Sequence, residues 1–127
     1  MVKVLERHER LWSQLSQKSD LTWSDFPWPM AKPPATPEDI SLAMISAYMH
    51  SPFWPDKEKS KTSKDRIKDH MKKWHPDRFE TKHLIKVTEG EREKVKQGAG
   101  NVARYLSDLL RKENENSSSS NIFGTGD

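Results

Sequence analysis

Apolar residues recur at helical spacing in four stretches of this chain, separated by polar segments rich in proline or charge. Val4, His8, Leu11, Trp12 and Leu15 share one face of an amphipathic helix predicted over residues 2–18, which would pack onto the domain or onto a partner helix. Thr36-Pro37-Glu38-Asp39 reads as a helix start, with a capping hydroxyl, proline at the first helical position and acids in the first turn. Ile40, Met44, Ala47 and Tyr48 give the helix that follows, 37–50, its apolar face. Ile67, Met71 and Trp74 are spaced four and then three apart, a narrow stripe on a helix predicted over 62–74. Thr88 with Glu91 three residues on suggests a capping box for a last helix, 88–112. Its stripe runs through Val95, Ala99, Val102, Ala103, Leu106, Leu109 and Leu110. A connection of about a dozen residues lets these last two helices bury their stripes against each other as an antiparallel hairpin.

The separators carry their own signals. Residues 23–34 hold four prolines and two tryptophans, so the segment is expected to be extended and to lay its indoles across the hairpin as an apolar strap rather than to bind a peptide. The stretch from Ser51 to Lys61 contains Pro52 and Pro55 and reads as a loop anchored to the core by Phe53 and Trp54. Gly98 and Gly100 interrupt the last helix, each at roughly 1 kcal/mol relative to alanine. Beyond residue 112, Asn114, Asn116 and the run Ser117 to Ser120 leave too little apolar surface to offset ordering. The expected organisation is all-α: an N-terminal amphipathic helix within 1–20, a small helical domain over 21–112 and a disordered tail over 113–127.

Composition narrows the possibilities. At 127 residues and 32% hydrophobic content, the chain can form one domain with a small core. The lack of cysteine removes disulfides, thiolate metal sites and thiol nucleophiles together. The N-terminus has no hydrophobic signal core, and no run approaches the ~20 apolar residues that span a bilayer. A nuclear or cytoplasmic protein, not secreted and without a membrane partner, is expected. Net charge is +3, but residues 57–73 hold eight Lys or Arg against three acids, a local +5, so the remainder of the chain is at −2. Lys61, Lys64, Lys68 and Lys72 line the face beside the apolar stripe. Such a face is either a solvated surface, with weak Asp65–Lys68 and Asp69–Lys72 or Asp69–Lys73 pairs, or a field that steers an acidic partner and fades with ionic strength. Lys72 and Lys73 also suit the helix dipole by ~0.3–1 kcal/mol.

That basic helix runs into Trp74-His75-Pro76-Asp77-Arg78-Phe79. Pro76 has no N–H and disfavours helical geometry at His75, so the helix should stop there and leave the imidazole and the carboxylate on an exposed tip. One reading is a plain interhelical turn in which Asp77 accepts local backbone hydrogen bonds. The other is a docking loop.

The tripeptide His75-Pro76-Asp77, the aromatic Trp74 before it, the basic Arg78 after it and the lysine-bearing helix resemble the J domain, the DnaJ-like module. Trp23-Ser24-Asp25-Phe26-Pro27-Trp28-Pro29, the block from Trp74 to Phe79 and the block from Glu93 to Leu110 with Gln97-Gly98-Ala99-Gly100 resemble more closely a divergent J-like family. That family includes the C-terminal part of NF-kappa-B inhibitor-like protein and several uncharacterised fungal proteins, and the similarity spans most of residues 6–112. The resemblance implies a co-chaperone or chaperone-recruiting module that docks a DnaK-type heat-shock ATPase and stimulates its ATP hydrolysis. In that role Asp77 would offer its carboxylate to a chaperone arginine and Pro76 would hold the loop rigid. His75 would position the loop by hydrogen bonding, Lys64, Lys68 and Lys72 would hold an acidic surface, and Arg78 would flank the contact. The alternative, from the same resemblance, is a nuclear interaction or regulatory protein that keeps the hairpin as a scaffold without chaperone stimulation.

Other chemistry finds little support. His8, His50, His70, His75 and His83 lack metal-ligand spacing, and no nucleophile, phosphate-binding glycine loop or carboxylate constellation accompanies His75 and Asp77. No enzyme, cofactor, metal or small-molecule substrate is therefore expected. Nucleic-acid binding is a weaker reading, because acids interleave with the lysines and no recognised binding motif appears.

Overall fold

A computed structural model describes the backbone of residues 1–125 and the side chains of residues 1–115 apart from Lys57 and Lys59. The described residues form a small all-α domain whose helices are α1 (Val2–Leu15), α2 (Leu42–Met49), α3 (Asp56–Lys59), α4 (Ser63–Trp74), α5 (Pro76–Lys82) and α6 (Glu89–Thr125). Short 3-10 turns cover Trp23–Asp25, Pro37–Asp39 and Leu84–Lys86. Helix α6 runs on past its expected end at residue 112 to Thr125, through most of the stretch expected as a tail, and from residue 116 onward the side chains lie outside the described residues. Glu113 is tied down: its Oε1 lies 2.7 Å from His50 Nε2 and its Oε2 accepts from the Ser63 hydroxyl at 3.5 Å.

Helices α4 and α6 make the central pair, and they are antiparallel. Ser63 at the start of α4 meets Glu113, while Trp74 at its end shares a small cleft with Ala99 and Gly100. The expected stripes close this seam, with Ile67 and Trp74 fully buried against Val95, Ala99, Val102, Leu106 and Leu109. The connection between them is more ordered than a loop, because α5 and a 3-10 turn occupy most of it. Phe79 on α5 is 1% exposed and stacks on Trp74, centroids 5.3 Å apart.

The strap does cross the hairpin. Trp23, Phe26, Trp28 and Met30 are all buried, and Trp28 stacks on Trp74 at 5.2 Å and lies 4.2 Å from Trp23. Each indole N–H is satisfied by a carbonyl, Trp23 by Pro34 at 2.6 Å and Trp28 by Trp23 at 3.0 Å. Gly98 makes room for both rings: a Cβ there would come within 2.7 Å of Trp23 and 2.9 Å of Trp28. The glycine expected only to weaken the last helix is thus the seat of the strap.

Several expectations are corrected. The first helix ends at Leu15, and the chain reverses through Asp20 at φ 52°, a left-handed conformation that Asp tolerates better than most residues. The helix expected over 37–50 is split. Thr36 and Asp39 close a 3-10 turn, Ile40 is extended at ψ 125°, and Ser41 caps α2 afresh by accepting the Met44 N–H at 3.2 Å. Glu91 does not complete a capping box, since its carboxylate accepts the Trp23 N–H at 2.9 Å while the Thr88 N–H goes to Leu21 O. In the 51–61 segment, which contains α3, Trp54 anchors at 8% exposure and donates to Tyr48 O, whereas Phe53 is 55% exposed.

Helix α1 is fastened by side chains. Leu5 and Leu15 are buried, Trp12 meets Trp74 edge-on at 5.3 Å, and the Lys86 ammonium donates to Leu15 O at 2.7 Å.

Candidate docking loop at the junction of α4 and α5

Thr62 starts α4 by accepting the Asp65 N–H at 3.0 Å, and His75 ends it with an extended backbone (φ −56°, ψ 130°). Pro76 then sits at the first position of α5, where its missing N–H costs nothing and its fixed φ suits the helix. The junction is therefore a single residue, His75, that ends one helix and caps the next. Its Nδ1 accepts the Asp77 N–H at 3.3 Å, which leaves Nε2 to carry the imidazole proton outward. Asp77 and Arg78 lie in the first turn of a helix rather than on a free turn, and the local acceptor is His75, not Asp77.

The aromatic residues on either side anchor this junction to the core. Trp74 and Phe79, buried and stacked, hold it from the inside, and the Phe79 N–H bonds to His75 O at 2.8 Å. His75, Pro76, Asp77 and Arg78 are all exposed as a result. These four are consecutive in the chain, and what the fold adds is that all of them face outward.

Lys68 and Lys72 join them. With Met71, His75, Asp77, Arg78 and Leu110 they line a groove of about 610 Å³ whose floor is apolar and whose rim is basic. Lys64 begins the same face of α4 one turn earlier and lies outside this groove. Met71, expected in the buried stripe, is only half-buried and supplies part of the floor together with Leu110 from α6. Asp69 is committed to Lys61 at 2.7 Å, which in turn reaches Glu58 at 3.3 Å, so the expected pairing of Asp69 with Lys72 or Lys73 is replaced. The Lys61 hydrogen bond holds the Asp69 carboxyl below its ordinary range.

Two polar residues that pattern reading passed over are buried in α4. Arg66, 6% exposed, donates to Met49 O at 3.2 Å and Glu58 O at 2.7 Å, with its guanidinium 4.9 Å from the Trp54 ring centre. His70 donates from Nδ1 to Arg66 O at 3.0 Å, and burial, with the nearby Lys73 charge, pushes its pKa down to about 4. His8 on α1 lies 2.7 Å from the Tyr48 hydroxyl and is likewise lowered to about 4 by burial and then by Arg7. Positions i and i+4 on the stripe side of a charged helix were the available signal for Arg66 and His70.

Among the described residues no group of three or more His, Asp or Glu is placed to hold a metal, and no helix is long and apolar enough to cross a membrane. No protein-family model, curated protein or solved structure matches the chain.

Proposed function

We propose that this chain is a J-like docking module that engages a DnaK-type heat-shock ATPase through His75, Pro76, Asp77 and the basic face of α4. The observation that carries this reading is the convergence of an exposed His75–Asp77 junction with Lys68, Lys72 and Arg78 around one groove. The chemistry on this side is recognition alone. Asp77 offers a carboxylate to a partner cation, a charge-assisted contact stronger than a neutral hydrogen bond. The proline and the buried aromatic pair limit the ordering cost of binding, and the lysines attract an acidic surface while Met71 and Leu110 give it an apolar seat.

Binding of the full chain to an ATP-loaded DnaK-type chaperone, measured by fluorescence anisotropy at low and moderate salt, tests the reading. Saturable binding that falls with salt, drops about tenfold or more in Asp77→Asn and weakens in Lys68→Ala/Lys72→Ala is expected. Lack of binding, or equal binding by Asp77→Asn, would contradict it.

One observation favours the scaffold alternative: Trp74, Pro76 and Phe79 are each used by the fold itself, so the junction has a structural reason to exist. Under that reading, nuclear partners recovered with the chain are indifferent to Asp77→Asn.

A further inference from the structure

A second cavity, of about 660 Å³, lies between α1 and the body of the domain. Its size falls within the range of small-molecule sites. Rings wall it: Trp12 and His8 from α1, Tyr48 from α2, Trp54 from the following segment and His70 from α4. None of these is loosely placed. Trp12 leans edge-on against Trp74, His8 is bonded to Tyr48, Trp54 donates to Tyr48 O beneath the Arg66 guanidinium, and His70 is pinned to Arg66 O. Each ring is engaged by a bond or ring contact that holds it at the wall of the cavity, which lowers the ordering cost of binding there.

The polar groups define what would fit. A carbonyl oxygen can only accept, so the contact to Arg66 O puts the His70 proton on Nδ1 and makes Nε2 an acceptor. The imidazole is kept neutral at ordinary pH by its burial, so this acceptor persists. Around the cavity, Lys61 bridges Glu58 and Asp69, while Lys72, Lys73 and Arg78 also border it; Glu58, Asp69 and Glu9 all act on Lys73 through space, so four cations face three carboxylates there. Lys73 reaches over the Trp12 ring at 5.1 Å, which places a cation against an aromatic wall.

We propose that this cavity is a binding site for a small planar aromatic molecule that carries a hydrogen-bond donor and a negatively charged group. The ring lies along Trp12, against the exposed edges of Tyr48 and Trp54, the donor meets His70 Nε2, and the anionic group meets Lys73 with Lys72 and Arg78. The site is independent of the docking reading, although Lys72 and Arg78 border both the cavity and the docking groove.

Indole-3-acetate combines a planar ring, an N–H and a carboxylate, and indole-3-acetamide is its uncharged counterpart. Titration of the full chain with each, followed by amide chemical shifts, is the test. Indole-3-acetate should bind with a Kd of about 1 mM or below, with shifts concentrated in α1, α2 and α4. Indole-3-acetamide should bind about tenfold more weakly, and His70→Phe and Lys73→Gln should each lose a similar factor. Lys73→Gln leaves the buried imidazole intact, so it decides the matter if His70→Phe does not fold. Absence of saturable shifts, shifts scattered over the surface, equal affinity for the amide, or wild-type affinity in Lys73→Gln would overturn the proposal.

Discussion

Gly98 and Gly100 are two residues apart on one helix, yet their surroundings assign them opposite roles. A methyl at position 98 would press into Trp23 and Trp28, and Trp23 is pinned by its bond to Pro34 O, whereas nothing lies within 4 Å of position 100. Gly98→Ala should therefore destabilise by ~1–3 kcal/mol through overpacking despite its better helix propensity, and Gly100→Ala should stabilise by up to ~1 kcal/mol. Urea unfolding of both variants checks the signs. Residue chemistry also sets the response to acid. His8 and His70 are lowered from 6.5 to about 4 in the fold, so between those values the unfolded chain binds more protons than the folded one. Stability is then complete above about pH 6.5 and declines as pH falls toward 4, at up to ~1.4 kcal/mol per pH unit for each group. Asp25, where burial is outweighed by the Thr22 and Lys18 contacts, and Asp69, held by Lys61, are depressed too, and their contributions are lost at still lower pH. A urea-unfolding series across pH 7 to 4 should fall steadily, and a flat profile would contradict these assignments. The tripeptide could be read from residue order alone, because its exposure follows from a local helix stop, and Lys68 and Lys72 because they fall on the polar face of α4. The indole seat at Gly98 could not, since it depends on a segment some seventy residues earlier in the chain.

Helices declared themselves where a single stripe faced a single neighbour. Ile67, Val95, Val102 and Leu106 met that condition, and α4 and α6 lie close to the expected bounds at their packed ends. The failures share a cause, which is competition between caps and distant partners. Thr36-Pro37-Glu38-Asp39 starts a helical turn as expected, but Asp39 accepts the Ala35 and Thr36 N–H groups and Ser41 offers a second cap, so the chain breaks at Ile40 before α2 begins. Glu91 is withdrawn from its local cap by the Trp23 N–H, whose partner lies 68 residues away in sequence. Ser41→Ala and Thr62→Ala should each cost about 1 kcal/mol, since both side chains satisfy an otherwise orphaned N–H at the start of a helix. Hydrogen exchange should show the loss first in α2 for the former and in α4 for the latter.

Across the whole molecule, one aromatic stack joins the parts. Trp12 from α1, Trp28 from the strap and Phe79 from α5 all meet Trp74, so the core and the exposed junction are held by the same residue. Scaffold and recognition can nevertheless be separated by mutation. Phe79→Ala should cost ~3–5 kcal/mol and lower the melting temperature markedly, while Asp77→Asn, fully on the surface, should change stability by less than about 0.5 kcal/mol. That separation makes the central claim testable without ambiguity about folding. The decisive measurement is single-turnover ATP hydrolysis by a DnaK-type chaperone in the presence of the purified chain, with His75→Gln and Asp77→Asn alongside. Stimulation by the wild type that is lost in both variants, with the melting temperature unchanged in Asp77→Asn and lowered in His75→Gln by no more than the loss of one helix cap, is the predicted result; no stimulation, or equal stimulation by all three, would contradict the account.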